Sequence, residues 1–239
     1  MQDVQTKKVL ITAGNTTVPI DKVRSISNIF RGKTGASIAE YFAGVGYEVT
    51  LLTSNITIVK PTEGLTVMQY RTYDDLYRLM EEYITTKQFD VIIHSAAVSD
   101  YAVEGMYSQV GGMHKLEGRP MLELTKLDSS GKVGSDHPEL WMKLVPTEKI
   151  IDKIRQPWGF RGALVKFKLQ VGMSDVELID VATRSMAHSS ANLIVANTLE
   201  DINTKAFIIS ANGNLPVTTN RRNLPAMLSY AVLRVLCEL

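Results

Sequence analysis

Apolar runs and apolar stripes alternate along the whole of this chain. Val9-Leu10-Ile11-Thr12-Ala13 is an unbroken β-branched and apolar run, the pattern of a strand buried on both faces. From Gly35 to Val45, Ile38, Ala39, Phe42 and Val45 recur at helical spacing, and Gly44 or Gly46 supplies a stop. Val49-Thr50-Leu51-Leu52 predicts a second buried strand, which the helix between would bring parallel to the first. Short strands are expected at Ile56 to Val59 and at Leu65 to Arg71. Thr72 then caps a helix with Asp74 and Asp75 in its first turn and Leu76, Leu79, Met80, Tyr83 and Ile84 as its buried stripe. Phe89 to Ile93 is the next buried strand.

The second half mixes the two periods. Leu122 to Leu127 and Glu139 to Val145 read as the strands of a hairpin around the polar segment Asp128 to Pro138, followed by a helix from Pro146 through Arg155. Ala163 to Leu169 is a strand, and Ser174 caps a helix with Val176, Ile179, Ala182 and Met186 on one face. Leu193 to Ala196 is a short buried strand ending in Asn197. Phe207 to Ser210 and Leu215 to Thr218 flank Asn212-Gly213-Asn214 as a hairpin, and Asn220 caps the last helix. The expected fold is α/β: a Rossmann-like, mostly parallel sheet with helices on both faces and antiparallel additions, in a single domain over 1–239.

Two loops break this alternation at the carboxyl ends of strands, where open α/β sheets bind ligands. Gly14 to Ser27 is irregular, with Pro19 excluding a regular helix, and Arg31-Gly32-Lys33-Thr34-Gly35 then opens a helix whose free NH groups suit an anion. His94-Ser95-Ala96-Ala97-Val98-Ser99-Asp100-Tyr101 should face it across one crevice, its small residues admitting a ligand close to the backbone. Ala102 to Met121 loses periodicity and carries Gly105, Gly111, Gly112 and Gly118, the composition of a mobile lid at about 102–121. Named phosphate motifs fail here. A Walker loop would need glycine at Ser27, and Gly14 has no glycine two residues on, which argues against a nicotinamide reductase.

Charge narrows the partners. Lys+Arg 26 against Asp+Glu 25 gives a net charge of +1, too weak a field to gather nucleic acid or a membrane surface. No apolar segment approaches the roughly 18 residues of a spanning helix. The lone Cys237, on an apolar background in the last helix, reads as core filler in a reducing compartment, so a cytoplasmic protein is expected. His94, His114, His137 and His188 are scattered without metal-ligand spacing.

Several segments in one order resemble phosphopantothenoylcysteine synthetase, the phosphopantothenate-cysteine ligase of coenzyme A biosynthesis, in its form without a flavin decarboxylase domain. They begin with Ile11-Thr12-Ala13-Gly14 and Thr16, Pro19, Val23-Arg24, Ser27-Asn28 and Gly32-Lys33 with Gly35. Asp90 to Tyr101 follows, then Thr125-Lys126-Leu127 with Ser129-Ser130-Gly131, Trp141 to Pro146, Phe167-Lys168-Leu169, and Leu193 to Asn197. The chain departs from the family's pattern at Phe30-Arg31, where Ser-Ser is usual, and at Asn15, where a second glycine is usual. Lysines expected on the helix before Leu193 are missing, with Arg184 the nearest basic residue.

The resemblance implies amide formation between 4'-phosphopantothenate and L-cysteine, driven by CTP or ATP with Mg2+ through an acyl-nucleotide. The motifs do not decide between the two nucleotides; CTP is the expectation, with pyrophosphate and the nucleotide monophosphate released. It implies phosphate contacts at Gly14, Gly32 and Gly35, base packing by Phe167, and further nucleotide contacts at Lys168 and Asn197. Asn28 would grip the pantothenate with Ala96 and Ala97 as backbone partners, and Asp100 would hold Mg2+ or a substrate group. Lys126 would be the cation on the α-phosphate. The resemblance also implies a homodimer with shared sites, Asn28 reaching across to a neighbouring subunit. A non-catalytic nucleotide- or pantothenate-sensing module is the alternative to an enzyme.

Overall fold

β1 (Lys8–Ala13) sits in the middle of an eight-stranded sheet, and the chain winds outward from it in both directions. The computed structural model describes residues 6–110, 114–116, 119–213 and 216–239. A two-stranded antiparallel ribbon, β2 (Thr17–Pro19) with β3 (Ser25–Ser27), follows β1 within the stretch expected to be irregular. Then come α1 (Lys33–Gly44), β4 (Glu48–Thr53), β5 (Leu65–Gln69), α2 (Tyr73–Thr86) and β6 (Val91–His94). β7 (Tyr101–Gln109), β8 (His114–Leu116), β9 (Arg119–Met121), β10 (Leu124–Lys126) and β11 (Trp141–Pro146) lie outside the main sheet. α3 (Ile150–Arg155), β12 (Ala163–Gln170), α4 (Asp175–His188), β13 (Leu193–Thr198), β14 (Ala206–Ser210), β15 (Val217–Thr219) and α5 (Leu224–Leu236) complete the chain.

The main sheet runs β15-β14-β13-β12-β6-β1-β4-β5, parallel from β13 to β5 and antiparallel at β14 and β15. Its six parallel strands thus follow the doubly wound order, with the reversal between β1 and β6. Strand alternation divides the core. Val9 and Ile11 face α1 and α5, with Ile38, Phe42, Leu228 and Val232 packed on them, whereas Leu10 and Ile92 face α2, α3 and α4 through Leu76, Met80, Ile154 and Leu178. α2 and α4 start on full capping boxes, Thr72 with Asp75 and Ser174 with Glu177.

Several expectations are corrected. The segment at about 102–121, expected to be a mobile loop, is over 101–109 the central strand of a three-stranded antiparallel sheet β10-β7-β11. Gly111, Gly112 and Gly118 lie outside the described residues. The strands around 124–126 and 141–146 do not pair as a hairpin, because each pairs with β7. Ile56–Ile58 is a 3-10 turn, and α3 starts at Ile150 because Pro146 still belongs to β11. Val45 and Val176 are exposed, and so is Cys237, which caps the end of α5 and is not core filler. Among the described residues no helix is long and apolar enough to cross a membrane.

Candidate active site

The loops that leave β1 and β6 are zipped together above the reversal point. Ala97 N donates to Gly14 O at 2.8 Å, Thr16 N to Ala97 O at 3.3 Å and Ser99 N to Thr16 Oγ1 at 2.9 Å. Below them Ser95 Oγ donates to Thr12 O at 2.6 Å and Ala96 N to Thr12 Oγ1 at 3.2 Å. The same Thr12 hydroxyl shares a hydrogen bond of 2.9 Å with His94 Nδ1. Burial pushes the His94 imidazole down to about 4, with the Lys166 ammonium adding to the effect, so the ring is neutral at physiological pH. The neighbouring Lys166 ammonium donates to Ser185 O at 2.9 Å and Ser189 Oγ at 3.0 Å, at the carboxyl end of α4.

Gly32 places the start of α1 against this platform. Its φ of 83° is left-handed, and a Cβ there would lie 2.5 Å from Gly14 N. Gly14, with φ 90°, is pressed in turn against Ser54. Gly35 backs onto Ala13 and Ser95. α1 begins with no side-chain cap, unlike α2 and α4, so its first NH groups are left for whatever enters the crevice.

Asn28 is held at the rim. Its Nδ2 donates to Ala97 O of the same chain at 3.0 Å, while Asn15 Nδ2 donates to the Asn28 carbonyl. Asn15 is itself fixed by Ser54, whose Oγ accepts from Asn15 N at 3.0 Å and donates to Asn15 Oδ1 at 3.1 Å. The ribbon β2-β3 precedes Asn28, which thus meets the β6 loop of its own chain.

A cavity of about 670 Å³ opens along the carboxyl edge of the sheet. Gly14, Gly32, Gly35 and Asn28 border it on one side, Ala96, Ala97 and Asp100 in the middle, and Phe167, Lys168 and Asn197 beyond. Among the described residues Arg31, Lys33, Lys168 and Arg221 are its cations, against one carboxylate, Asp100. Such a lining suits a polyanion. The Asp100 carboxylate pairs with Lys149, and among the described residues no group of three His, Cys, Asp or Glu is arranged to hold a metal ion by itself. A single carboxylate beside a cation-lined cavity suits a divalent cation that arrives with a polyanionic ligand rather than one held by the protein alone.

Lys126 does not line this cavity. It lies on β10, its ammonium 3.2 Å from Glu104 O and 3.5 Å from Glu104 Oε1, with Gly105 leaving room for its chain. A hydrogen bond from Tyr107, with Lys126 and Lys143 nearby, holds the Glu104 carboxyl below its usual range. The sheet β10-β7-β11 therefore carries Lys126 apart from the other expected residues.

Other contributors left no usable signal in the sequence. Asp21 is buried and accepts from Val23 N, Arg24 N, the Arg24 guanidinium and Val133 N, so it clamps the ribbon to the segment after β10. The Arg24 guanidinium holds its carboxyl far below the usual carboxylate range. Asn15 was visible only as a departure from Gly-Gly-Thr. Arg221, Ile202 and Leu224 reach the cavity because β14 and β15 turn back along β13, which needs the strand order to be known.

The family model for the DNA/pantothenate metabolism flavoprotein C-terminal domain matches residues 4–129, more than half of the chain. The coenzyme A biosynthesis bifunctional protein CoaBC of Thermococcus kodakarensis is 33% identical over 201 residues, covering 83% of this chain and 43% of that protein. The phosphopantothenate-cysteine ligase of Saccharomyces cerevisiae is 24% identical over 262 residues, covering 85% of this chain and 68% of that enzyme. The chain therefore spans less than half the length of the bifunctional relatives it matches. A crystal structure of the DNA/pantothenate metabolism flavoprotein from Streptococcus pneumoniae superposes with a TM-score of 0.79 at 27% identity, over 96% of this chain and 99% of that one. With the doubly wound order, the zipped loops and this match together, the chain belongs to the DNA/pantothenate metabolism flavoprotein C-terminal domain family.

Proposed function

We propose that this domain is a phosphopantothenate-cysteine ligase. It activates the carboxylate of 4'-phosphopantothenate by attack on the α-phosphorus of a nucleoside triphosphate, CTP in preference to ATP. Pyrophosphate leaves, and the amine of L-cysteine then displaces the nucleotide monophosphate to form the amide. One observation carries the reading: every expected site residue except Lys126 borders a single cation-lined cavity in a chain of this family.

The roles follow from that arrangement. The uncapped start of α1, with Gly14, Gly32 and Gly35 keeping the backbone close, receives the phosphates, and Phe167 packs on the base beside Lys168 and Asn197. Among the described residues nothing donates to Asn28 Oδ1, which accepts from the pantothenate amide while Nδ2 stays tied to Ala97. Mg2+ bound to the phosphates and to Asp100 would supply charge neutralisation at the phosphorus. Lys126 is the cation for the α-phosphate, and its position outside its own cavity supports a homodimer in which the sheet β10-β7-β11 covers the partner's crevice as a lid. This domain works in the cytoplasm.

Pyrophosphate release with 4'-phosphopantothenate, cysteine and either CTP or ATP is the test. Sustained release that needs all three substrates, with stoichiometric amide product, is expected, while without cysteine release should stop after about one turnover per site. No pyrophosphate with either nucleotide removes the ligase reading.

A further inference from the structure

The end of the cavity farthest from Gly14 has a different character. Phe167, Val195, Ile202, Ala206 and Leu224 give it apolar walls, and β13 lies three strands from β1, about 14 Å at the usual strand spacing. Phosphates held at α1 would leave the base of an extended nucleotide here. Among the described residues two charged side chains border this end, Arg221 and, beside Phe167, Lys168. Arg221, two residues past β15, donates from Nη1 to Asn203 Oδ1 at 3.1 Å, and among the described residues that is its one hydrogen-bond partner.

A guanidinium only donates, and its N–H groups lie in one plane. With Nη1 engaged by Asn203, the remaining N–H groups suit two acceptors lying side by side. Cytosine offers such a pair in O2 and N3. Adenine sets an amino donor beside N1, and uracil sets N3–H between its carbonyls, so each opposes a donor to a donor at that edge. An unpaired donor in an apolar slot is costly, which turns the arrangement into discrimination.

We propose that Arg221, aligned by Asn203, reads the nucleotide base and selects cytosine. The proposal rests on the ligase reading for its nucleotide but concerns only the base end of the cavity.

Two measurements test it. In steady-state assays with CTP, ATP and UTP, Arg221→Ala should raise the KM for CTP roughly 10- to 100-fold, the discrimination of one bidentate contact, and lower the KM for ATP because the opposed donor is gone, and Arg221→Lys should also raise the CTP KM. Asn203→Ala should move the CTP KM the same way by less. Calorimetric binding of CMP and AMP to the unmodified protein and to Arg221→Lys makes the same comparison without turnover. Equal losses with CTP and ATP would make Arg221 a phosphate or ribose contact and overturn the proposal, as would unchanged KM values or a wild-type preference for ATP. If no pyrophosphate forms but CMP binding still depends on Arg221, the ligase reading fails and the base-reading role stands.

Discussion

Replacing Gly32 with alanine should separate the two demands that the crevice makes on its glycines. Gly32 has φ 83° and a virtual Cβ 2.5 Å from Gly14 N and 2.8 Å from Gly14 Cα. A left-handed residue with a Cβ costs roughly 1–2 kcal/mol. The overlap adds to this, because an ordinary contact begins near 3.4 Å and the two loops must part by the difference. Overpacking of this kind costs about 1–3 kcal/mol, for a total of about 2–5 kcal/mol. Gly46 supplies the control. Its φ is 98°, but nothing lies within 4 Å of its virtual Cβ, so Gly46→Ala should show the backbone cost alone, about 1–2 kcal/mol. Urea unfolding of both variants reads the difference as ΔΔG at constant m. Parting Gly32 from Gly14 also moves the start of α1, so the KM for the nucleoside triphosphate should rise in Gly32→Ala and not in Gly46→Ala. Equal destabilisation by the two substitutions, or an unchanged nucleotide KM in Gly32→Ala, would refute the reasoning.

Further predictions concern the same machinery. His94 has a folded-state pKa of about 4 against roughly 6.5 unfolded, so between these values only the unfolded chain takes the proton. Stability is then fully present above pH 6.5 and falls as pH drops toward 4, by about 2 kcal/mol at pH 5; denaturant titrations at pH 7 and pH 5 should show this loss in the wild type but not in His94→Gln. Lys126→Ala should lower kcat by about a hundredfold or more while leaving the nucleotide KM nearly unchanged, and a near-normal kcat would mean that the cation must be sought at Arg31, Lys33 or Lys168. Mixing Asn28→Ala with Lys126→Ala chains should restore part of the activity through hybrid dimers, whereas Asn28→Ala with Asp100→Ala should not, because those two residues border one cavity of one chain. Recovery by the second mixture and not the first would reverse the assignment of what crosses the interface.

The local rules determined a large part of this protein. Continuous apolar runs such as Val9 to Ala13 specify strands buried on both faces, and Thr72 and Ser174 mark helix starts through side chains that satisfy NH groups three residues on. Motif order was enough to gather Gly14, Asn28, Ala96, Asp100, Phe167 and Asn197 at one sheet edge, because parallel strands point their carboxyl ends the same way. What failed was pairing between segments distant in the chain. β7 is an outlying strand with mixed burial, so it has no apolar run to announce it, and its partners lie on both sides of it in space but after it in sequence. The exposed Val176 and Cys237 fit helical spacing, yet only the neighbouring elements decide which side of a helix is covered. Asn15 and Arg221 are ordinary loop residues in the sequence. Their positions come from contacts with Ser54 and Asn28 in one case and with Asn203 at the cavity in the other, and the order in which eight strands lie side by side makes those contacts.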